Sequence, residues 1–482
     1  MAFIVPTVPT VANLIDGEWV EGSGSDVLTV LNPATGEELS RFTTSTTEDI
    51  DRAVAAARAA QPAWATLSGR QRSEILHTIA GEFSARIEEF VGLEVLDAGK
   101  PVTAATEAEL PDIADSVRYF AGAARVLSGQ AAGEYVAGTT TLIRREPLGV
   151  VAGVTPWNYP LWQAVWKIIP ALAAGNTVVL KPAEMTPLST VAFAVLAQAH
   201  LPNGVINIVN GLGSVVGAAL ASHPDVDLVS FTGSTATGRA IAAAAADRPN
   251  RTVMELGGNA PVIVFDDVDV DAAAEAIVEA ALYNAGQECM AATRLIVAET
   301  VADKFLHAIV EQLQQVHIGD TTDESTTLGP LISANQLARI EKLIANRPVG
   351  SAVLFGGSRV DRPGFYLEPT LISGLSQDDD LIQQEIFGPV LTAQTFIEET
   401  EAITMANGVR FGLAGSVWTR DVGRGLRVVN ALNFGNVWIN THLVVAPDLP
   451  IGGFNQSGYG KEGGSLGVEE FTRVKQIGIN LS

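Results

Sequence analysis

The sequence predicts an α/β protein of two lobes, each a largely parallel sheet covered by helices. Two observations predict it. From about residue 149 short runs of Val, Ile and Leu alternate with helix-length amphipathic segments, the signature of buried parallel strands in βαβ units. And 482 residues exceed what one hydrophobic core usually serves, since cores stop growing near ~250–300 residues.

The elements follow in order. Thr47 to Phe90 reads as helix, with apolar residues at three-to-four spacing in "DIDRAVAAARAAQPAWA" and "RQRSEILHTIAGEFSARIEEF". A further helix runs through "DIADSVRYFAGAARVLSG", and "EYVAGTTTLIRREPLGVVAGV" reads as extended chain. Then "GVVAGVTP", "TVVLKP", "VINIVNG" and "VDLVSFTG" are strands. They are separated by the helices "WQAVWKIIPALAAG", "LSTVAFAVLAQAH" and "SVVGAALASH" and followed by "TATGRAIAAAAAD". This is a nucleotide-binding type of architecture, and fold alone does not give function. A second α/β series starts at "APVIVFDD" and continues through "TRLIVAE", "GFYLEPTLIS" and "GSVWTRD", making a lobe of about residues 256–435. From Gly435 the chain returns to glycine-punctuated loops and a terminal strand, "RVKQIGINLS". No internal repeat or low-complexity linker separates the lobes.

Composition narrows the function classes. With 54 acidic and 30 basic residues the net charge is −24, the wrong sign for binding nucleic-acid phosphates. An acidic surface serves solubility and can also steer a cationic substrate. One cysteine forbids intrachain disulfides, so a reducing, cytoplasmic setting is expected. "MAFIVPTVPTVANLIDGEW" lacks a basic leader region and is broken by Pro6 and Pro9. No run reaches the ~18 apolar residues of a membrane span. Six scattered histidines without H-x-H or H-E-x-x-H spacing, and the lone cysteine, leave no metal site expected.

Two glycine motifs are near misses, and a third matches its pattern only formally. "GLGSVVG" (211–217) fails G-x-G-x-x-G by one residue, and "GSTATGR" (233–239) lacks the Lys-Ser/Thr of a P-loop. Still, "FTGSTATG" opens a helix at a strand end, where backbone N–H groups favour an anion such as a dinucleotide pyrophosphate. "GGSLG" (463–467) follows loop rather than strand, so Ser465 is no nucleophile elbow.

Cys289 admits two readings. Free cysteine is commonly a small core residue, but Gly286, Gln287 and Glu288 before it read as a loop, where a thiol near a base could attack an electrophile. Glu255 ends a short apolar strand ahead of Gly257-Gly258. A carboxyl there is either a sheet-end ion pair or a base whose proton affinity burial has raised.

Together "PWNYP" (156–160), "KPAE" (181–184), "FTGS" (231–234), "MELGGNAP" (254–261), "GQEC" (286–289), "EIFGPV" (385–390) and "SGYGKEG" (457–463) resemble the aldehyde dehydrogenase superfamily, in family order and over nearly the whole chain. The resemblance implies an aldehyde dehydrogenase-like α/β fold. Its Rossmann-type coenzyme lobe would be residues 1–129 and 149–255, its catalytic lobe 256–435. A small β oligomerisation element, 130–148 and 436–482, would build a dimer or tetramer. It further implies NAD-dependent oxidation of an aldehyde to an acid. Cys289 would be the nucleophile, Asn158 an oxyanion donor beside the Cys289 N–H, and Glu255 the base for deacylation. Lys181 and Glu184 would hold the adenosine ribose; a carboxylate there favours NAD over NADP by like-charge repulsion of the 2′-phosphate. Gly233 and Ser234 would meet the pyrophosphate. Thr155, Pro156, Trp157 and Gly257 would line the coenzyme crevice, with Glu385 and Phe387 at the nicotinamide riboside.

Within the superfamily, "YFAGAARVLSGQAAGEYVAG", "RREPLGVV", "APVIVFDDVDV", "DESTTLGPL" and "VWINTH" most resemble bacterial aminobutyraldehyde (1-pyrroline) dehydrogenases. That implies Glu109 and Asp112 in the substrate tunnel, attracting an ω-ammonium. Tyr159, Trp162, Glu288, Met290 and Ile451 would complete its wall. Met290, Ile451 and Trp162 depart from the common pattern and leave an aromatic or aliphatic aldehyde open as substrate.

Overall fold

In the computed structural model, which describes residues 3–127, 129–246 and 250–481, the helical N-terminal third forms as its periodicity requires. Helix Thr47–Thr66 starts at a capping box in which Thr46 and Asp49 satisfy each other's backbone donors. Helices Gly69–Ala85, Ile87–Ala98 and Leu110–Ala123 follow. Between the last two, one π-helical turn spans Ala105–Glu109.

The first sheet has eight strands. Five run parallel, in the spatial order 251–256, 228–233, 150–154, 177–181, 206–208. Their burial is almost complete, which is why they read as unbroken Val/Ile/Leu rather than as alternation. Antiparallel strands extend it on both sides: Asn13–Ile15 and Glu18–Val20 at one edge, Gly458–Tyr459 at the other. The order reverses between Val150–Val154 and Leu228–Gly233, and in doubly wound sheets ligands bind outside the strand carboxyl ends at such a switch.

The second sheet orders its strands 352–355, 370–373, 390–396, 294–298, 261–264, 414–418, 436–439, all parallel but the first. Asn436–Ile439 carries it past residue 435. Val262, Ile263, Leu295, Ile296, Leu391 and Val417 form its interior. Arg294 is fully buried at the start of its strand, and its guanidinium donates to the carbonyls of Met405 and Ala406 at 2.9 and 2.7 Å. It thereby closes the carboxyl end of helix Glu399–Asn407 and fixes the chain just after Cys289.

A third sheet joins Gln130–Val136, Thr139–Pro147 and the terminal strand Thr472–Asn480 into an antiparallel arm. Among the described residues no helix is long and apolar enough to cross a membrane.

Candidate active site

The switch point of the first sheet faces the loops that lead into the second, and a cavity of about 700 Å3 lies between them. Pro156 and Trp157 enter it after strand Val150–Val154; Gly233 and Ser234 after Leu228–Gly233; Glu255 from the end of Arg251–Leu256. Cys289 and Glu385 arrive from the opposite side, each five residues ahead of a strand of the second sheet.

Asn158, Cys289 and Glu255 meet in this cavity. The Asn158 amide donates to the Gln287 carbonyl at 2.9 Å, and Asn284 donates to the Asn158 carbonyl at 2.9 Å. These bonds lock the amide beside the cysteine loop. That loop is tightly wound: Asn284, Ala285 and Gly286 all have positive φ. Gly286 is required there, since a Cβ would meet the Gly388 carbonyl oxygen at 2.2 Å.

Carboxylates dominate the electrostatics. Burial first, then Glu462 and Glu288, push the Glu255 carboxyl well above its usual range, with Lys167 pulling the other way. One of its oxygens, Oε1, is buried with no protein partner. The sheet-end ion pair is therefore not what forms at Glu255. Burial, with Glu255, Glu288 and Glu385 nearby, likewise holds Cys289 well above an ordinary thiol. Behind Glu255, in register with it, Thr232 joins a network that sequence reading missed. Lys167 is fully buried and donates to Glu462 at 2.6 Å, Thr232 at 2.7 Å and Gln163 at 3.0 Å. A lysine on an apolar helix face was the available signal.

On the side of the first sheet's switch point Glu385 accepts the Gly258 N–H at 2.9 Å, and burial raises its carboxyl to about 7. A Cβ at Gly257 would lie 2.1 Å from Glu385 Oε2, so only glycine leaves that carboxylate its place. Phe387 holds a positive φ of 57° and packs edge-on against Trp157 at 5.2 Å. Ser234 caps the helix Thr235–Ala246, accepting the Thr237 N–H at 3.2 Å. Lys181 and Glu184 pair at 2.7 Å beyond the enclosed cavity, at the end of strand Thr177–Lys181. Thr155 is buried with an unpartnered hydroxyl.

The other side is walled by Tyr159, Trp162, Trp166, Tyr283, Met290, Leu443, Val445 and Ile451, with Glu288 at the base and Asp112 and Glu279 as further carboxylates. Glu109 corrects the expectation. It is 2% exposed, does not line the cavity, and is bonded instead to Lys100, which also donates to Glu94 at 2.7 Å. Glu109 ends the π-turn and packs inward, whereas Asp112, three residues on, lines the cavity. Glu279 and His442 were not anticipated. Burial lowers the His442 ring to about 4, so it is neutral, bridging Ser416 at 2.8 Å and the Met290 carbonyl at 2.7 Å.

Comparison with known proteins agrees with this architecture. The aldehyde dehydrogenase family matches residues 19–477. Betaine aldehyde dehydrogenase of Bacillus subtilis (strain 168) is 41% identical over 471 residues, covering 96% of each chain. The chloroplastic betaine aldehyde dehydrogenase of Beta vulgaris is 40% identical over 487 residues, covering 98% of this chain and 97% of that one. The structure of betaine aldehyde dehydrogenase from Staphylococcus aureus in complex with NAD+ superposes with a TM-score of 0.96 at 38% identity, covering 98% of this chain and 95% of the other. With a thiol, a buried carboxyl and a fixed amide gathered at the switch point of such a fold, and with likeness running end to end, the chain belongs to the aldehyde dehydrogenase family.

Proposed function

We propose that the protein oxidises an aldehyde bearing an ω-ammonium group, best matched by 4-aminobutyraldehyde, to its carboxylic acid with NAD. The observation that carries this reading is a single cavity holding the thiol of Cys289 with coenzyme-facing residues on one side and Asp112 and Glu279 on the other.

The residues present suit NAD. Lys181 and Glu184 offer a donor and an acceptor to ribose hydroxyls, and the Glu184 carboxylate disfavours a 2′-phosphate, so NADP is the poorer fit. The buried Thr155 hydroxyl, Gly233 and Ser234 lie along the path from there to Trp157, Glu385 and Phe387. Held by these residues, NAD would supply the hydride acceptor for oxidation of the thiohemiacetal formed on Cys289.

The chain's own residues supply the rest. The Cys289 sulfur adds to the carbonyl carbon and gives a thiohemiacetal. Its oxyanion is met by the Asn158 amide and the Cys289 N–H, a kind of donor worth about 2.7–4 kcal/mol in comparable holes. Oxidation leaves a thioester on Cys289. Glu255, made more basic by burial, takes a proton from the water that hydrolyses it. Aromatic faces of Tyr159, Trp162 and Trp166 flank the path to the carboxylates, where a cation is stabilised by both.

In this reading residues 1–129 and 149–255 carry the coenzyme and 256–435 the nucleophile. Exposed Tyr135, Val136, Val474 and Ile479 on the antiparallel arm support a homodimer or homotetramer. The single cysteine fits a reducing, cytoplasmic setting.

Leu443, Val445 and Ile451 favour a second reading, an apolar aliphatic or aromatic aldehyde. One screen separates the two. NADH formation is followed with 4-aminobutyraldehyde, betaine aldehyde, butyraldehyde and benzaldehyde, using NAD and NADP. A higher kcat/KM for 4-aminobutyraldehyde than for butyraldehyde supports the first reading; the reverse order supports the second. Cys289→Ala should abolish turnover of all four, and persistent turnover would defeat both.

A further inference from the structure

Glu288 stands directly before Cys289 and touches the sulfur. The thiol donates to Glu288 Oε1 at 3.2 Å, and the same oxygen accepts the Met290 backbone N–H at 3.0 Å. With the residue only 9% exposed, this carboxylate is fixed at the base of the cavity between the nucleophile and the substrate wall. Its charge is felt on both sides, by Cys289 and by the hydroxyls of Tyr159 and Tyr283.

We propose that Glu288 couples the charge of the entering aldehyde to the reactivity of Cys289: its carboxylate holds the thiol hydrogen in the free enzyme, and an ammonium group that pairs with it frees the sulfur for attack. This rests on the cationic-aldehyde reading above and assigns the residue that enforces it. In the attack the S–H bond breaks toward Glu255, whose carboxylate takes the proton and passes it to solvent before deacylation. The sulfur pair then forms the S–C bond while the carbonyl pair moves onto oxygen, so charge and atoms balance.

Other groups face the sulfur as well. Glu255 lies on the sheet side with Lys167 and Glu462 behind it, and Glu385 opposite, where Arg339 offsets part of its charge. Glu255 also feels a hydrogen bond from the Cys289 thiol; Glu288 differs in that the oxygen accepting from the thiol is pinned by a backbone donor, the Met290 N–H. A neutral aldehyde brings nothing to displace it; a cation does.

The test is the pH dependence of Cys289 alkylation by iodoacetamide in the enzyme without coenzyme or aldehyde. It is run for wild type, E288Q and E288D, each with and without butylammonium. The midpoint is read rather than the rate, because a cation that merely crowds the cavity slows alkylation at every pH. E288Q should lower the midpoint by about one unit or more, the size of effect a neighbouring like charge has. Butylammonium should lower it in wild type and E288D and leave E288Q in place. An unmoved wild-type midpoint with butylammonium, an E288Q midpoint equal to or above wild type, or equal shifts in wild type and E288Q would overturn the proposal. Since neither aldehyde nor NAD is present, such a result leaves the dehydrogenase reading to stand or fall on Cys289→Ala turnover.

Discussion

Replacing Lys167 by Met keeps most of the buried stem and removes the charge. All three ammonium donors are used, at 2.6, 2.7 and 3.0 Å, and both Lys167 and Glu462 are withdrawn from water. Without Lys167, Glu462 keeps a carboxylate facing Glu255 with no cation opposite it, only the Thr232 hydroxyl at 3.3 Å. Removing one partner of a buried pair costs about 3–5 kcal/mol, mostly the desolvated charge left behind. The pair itself is worth less, because desolvation offsets most of the Coulomb gain. Lys167→Met should therefore be strongly destabilised, and adding Glu462→Gln should recover most of the loss. Urea unfolding of the four proteins in that cycle at pH 7 measures it. A second readout is the pH profile of kcat. Lys167 lowers and Glu462 raises the Glu255 carboxyl, so the limb reporting Glu255 ionisation should move to higher pH in Lys167→Met and to lower pH in Glu462→Gln. A Lys167→Met protein as stable as wild type, a double variant weaker than the single, or limbs moving the same way would refute the reasoning.

Glu255→Gln should give a first-turnover burst of NADH and then stall at the thioester; unchanged steady-state rates would remove Glu255 as the deacylation base. The same variant should gain stability relative to wild type as pH rises. The folded carboxyl sits above its usual 4.5, so wild type loses stability from about that pH upward as the buried group resists ionising, and glutamine does not. Equal melting differences at pH 5 and pH 8 would contradict this. On the substrate side, Asp112→Asn with Glu279→Gln should raise KM for 4-aminobutyraldehyde and leave butyraldehyde unaffected. Glu109→Gln should instead lower Tm, because it strips a buried partner from Lys100; a KM effect specific to the aminoaldehyde, without loss of Tm, would put Glu109 back in the tunnel.

The sequence by itself determined the strands, the helices and the chemistry-bearing loops. Unbroken runs such as "VVAGV" and "TVVLK" can bury both faces only in a parallel sheet, and motif glycines such as Gly257 and Gly286 mark places where a side chain cannot fit. Tertiary structure decided what local pattern does not encode. Glu109 and Asp112 lie three residues apart, yet tertiary packing pairs one with buried Lys100 and leaves the other at the cavity. Lys167 sits on an apolar helix, and only the fold closes Thr232 and Glu462, 65 and 295 residues away, around it. His442, to which no sequence motif points, is neutral scaffolding buried between Ser416 and the Met290 carbonyl. Proton affinity depends on burial and on the charges packed nearby, and only the assembled chain fixes those neighbours.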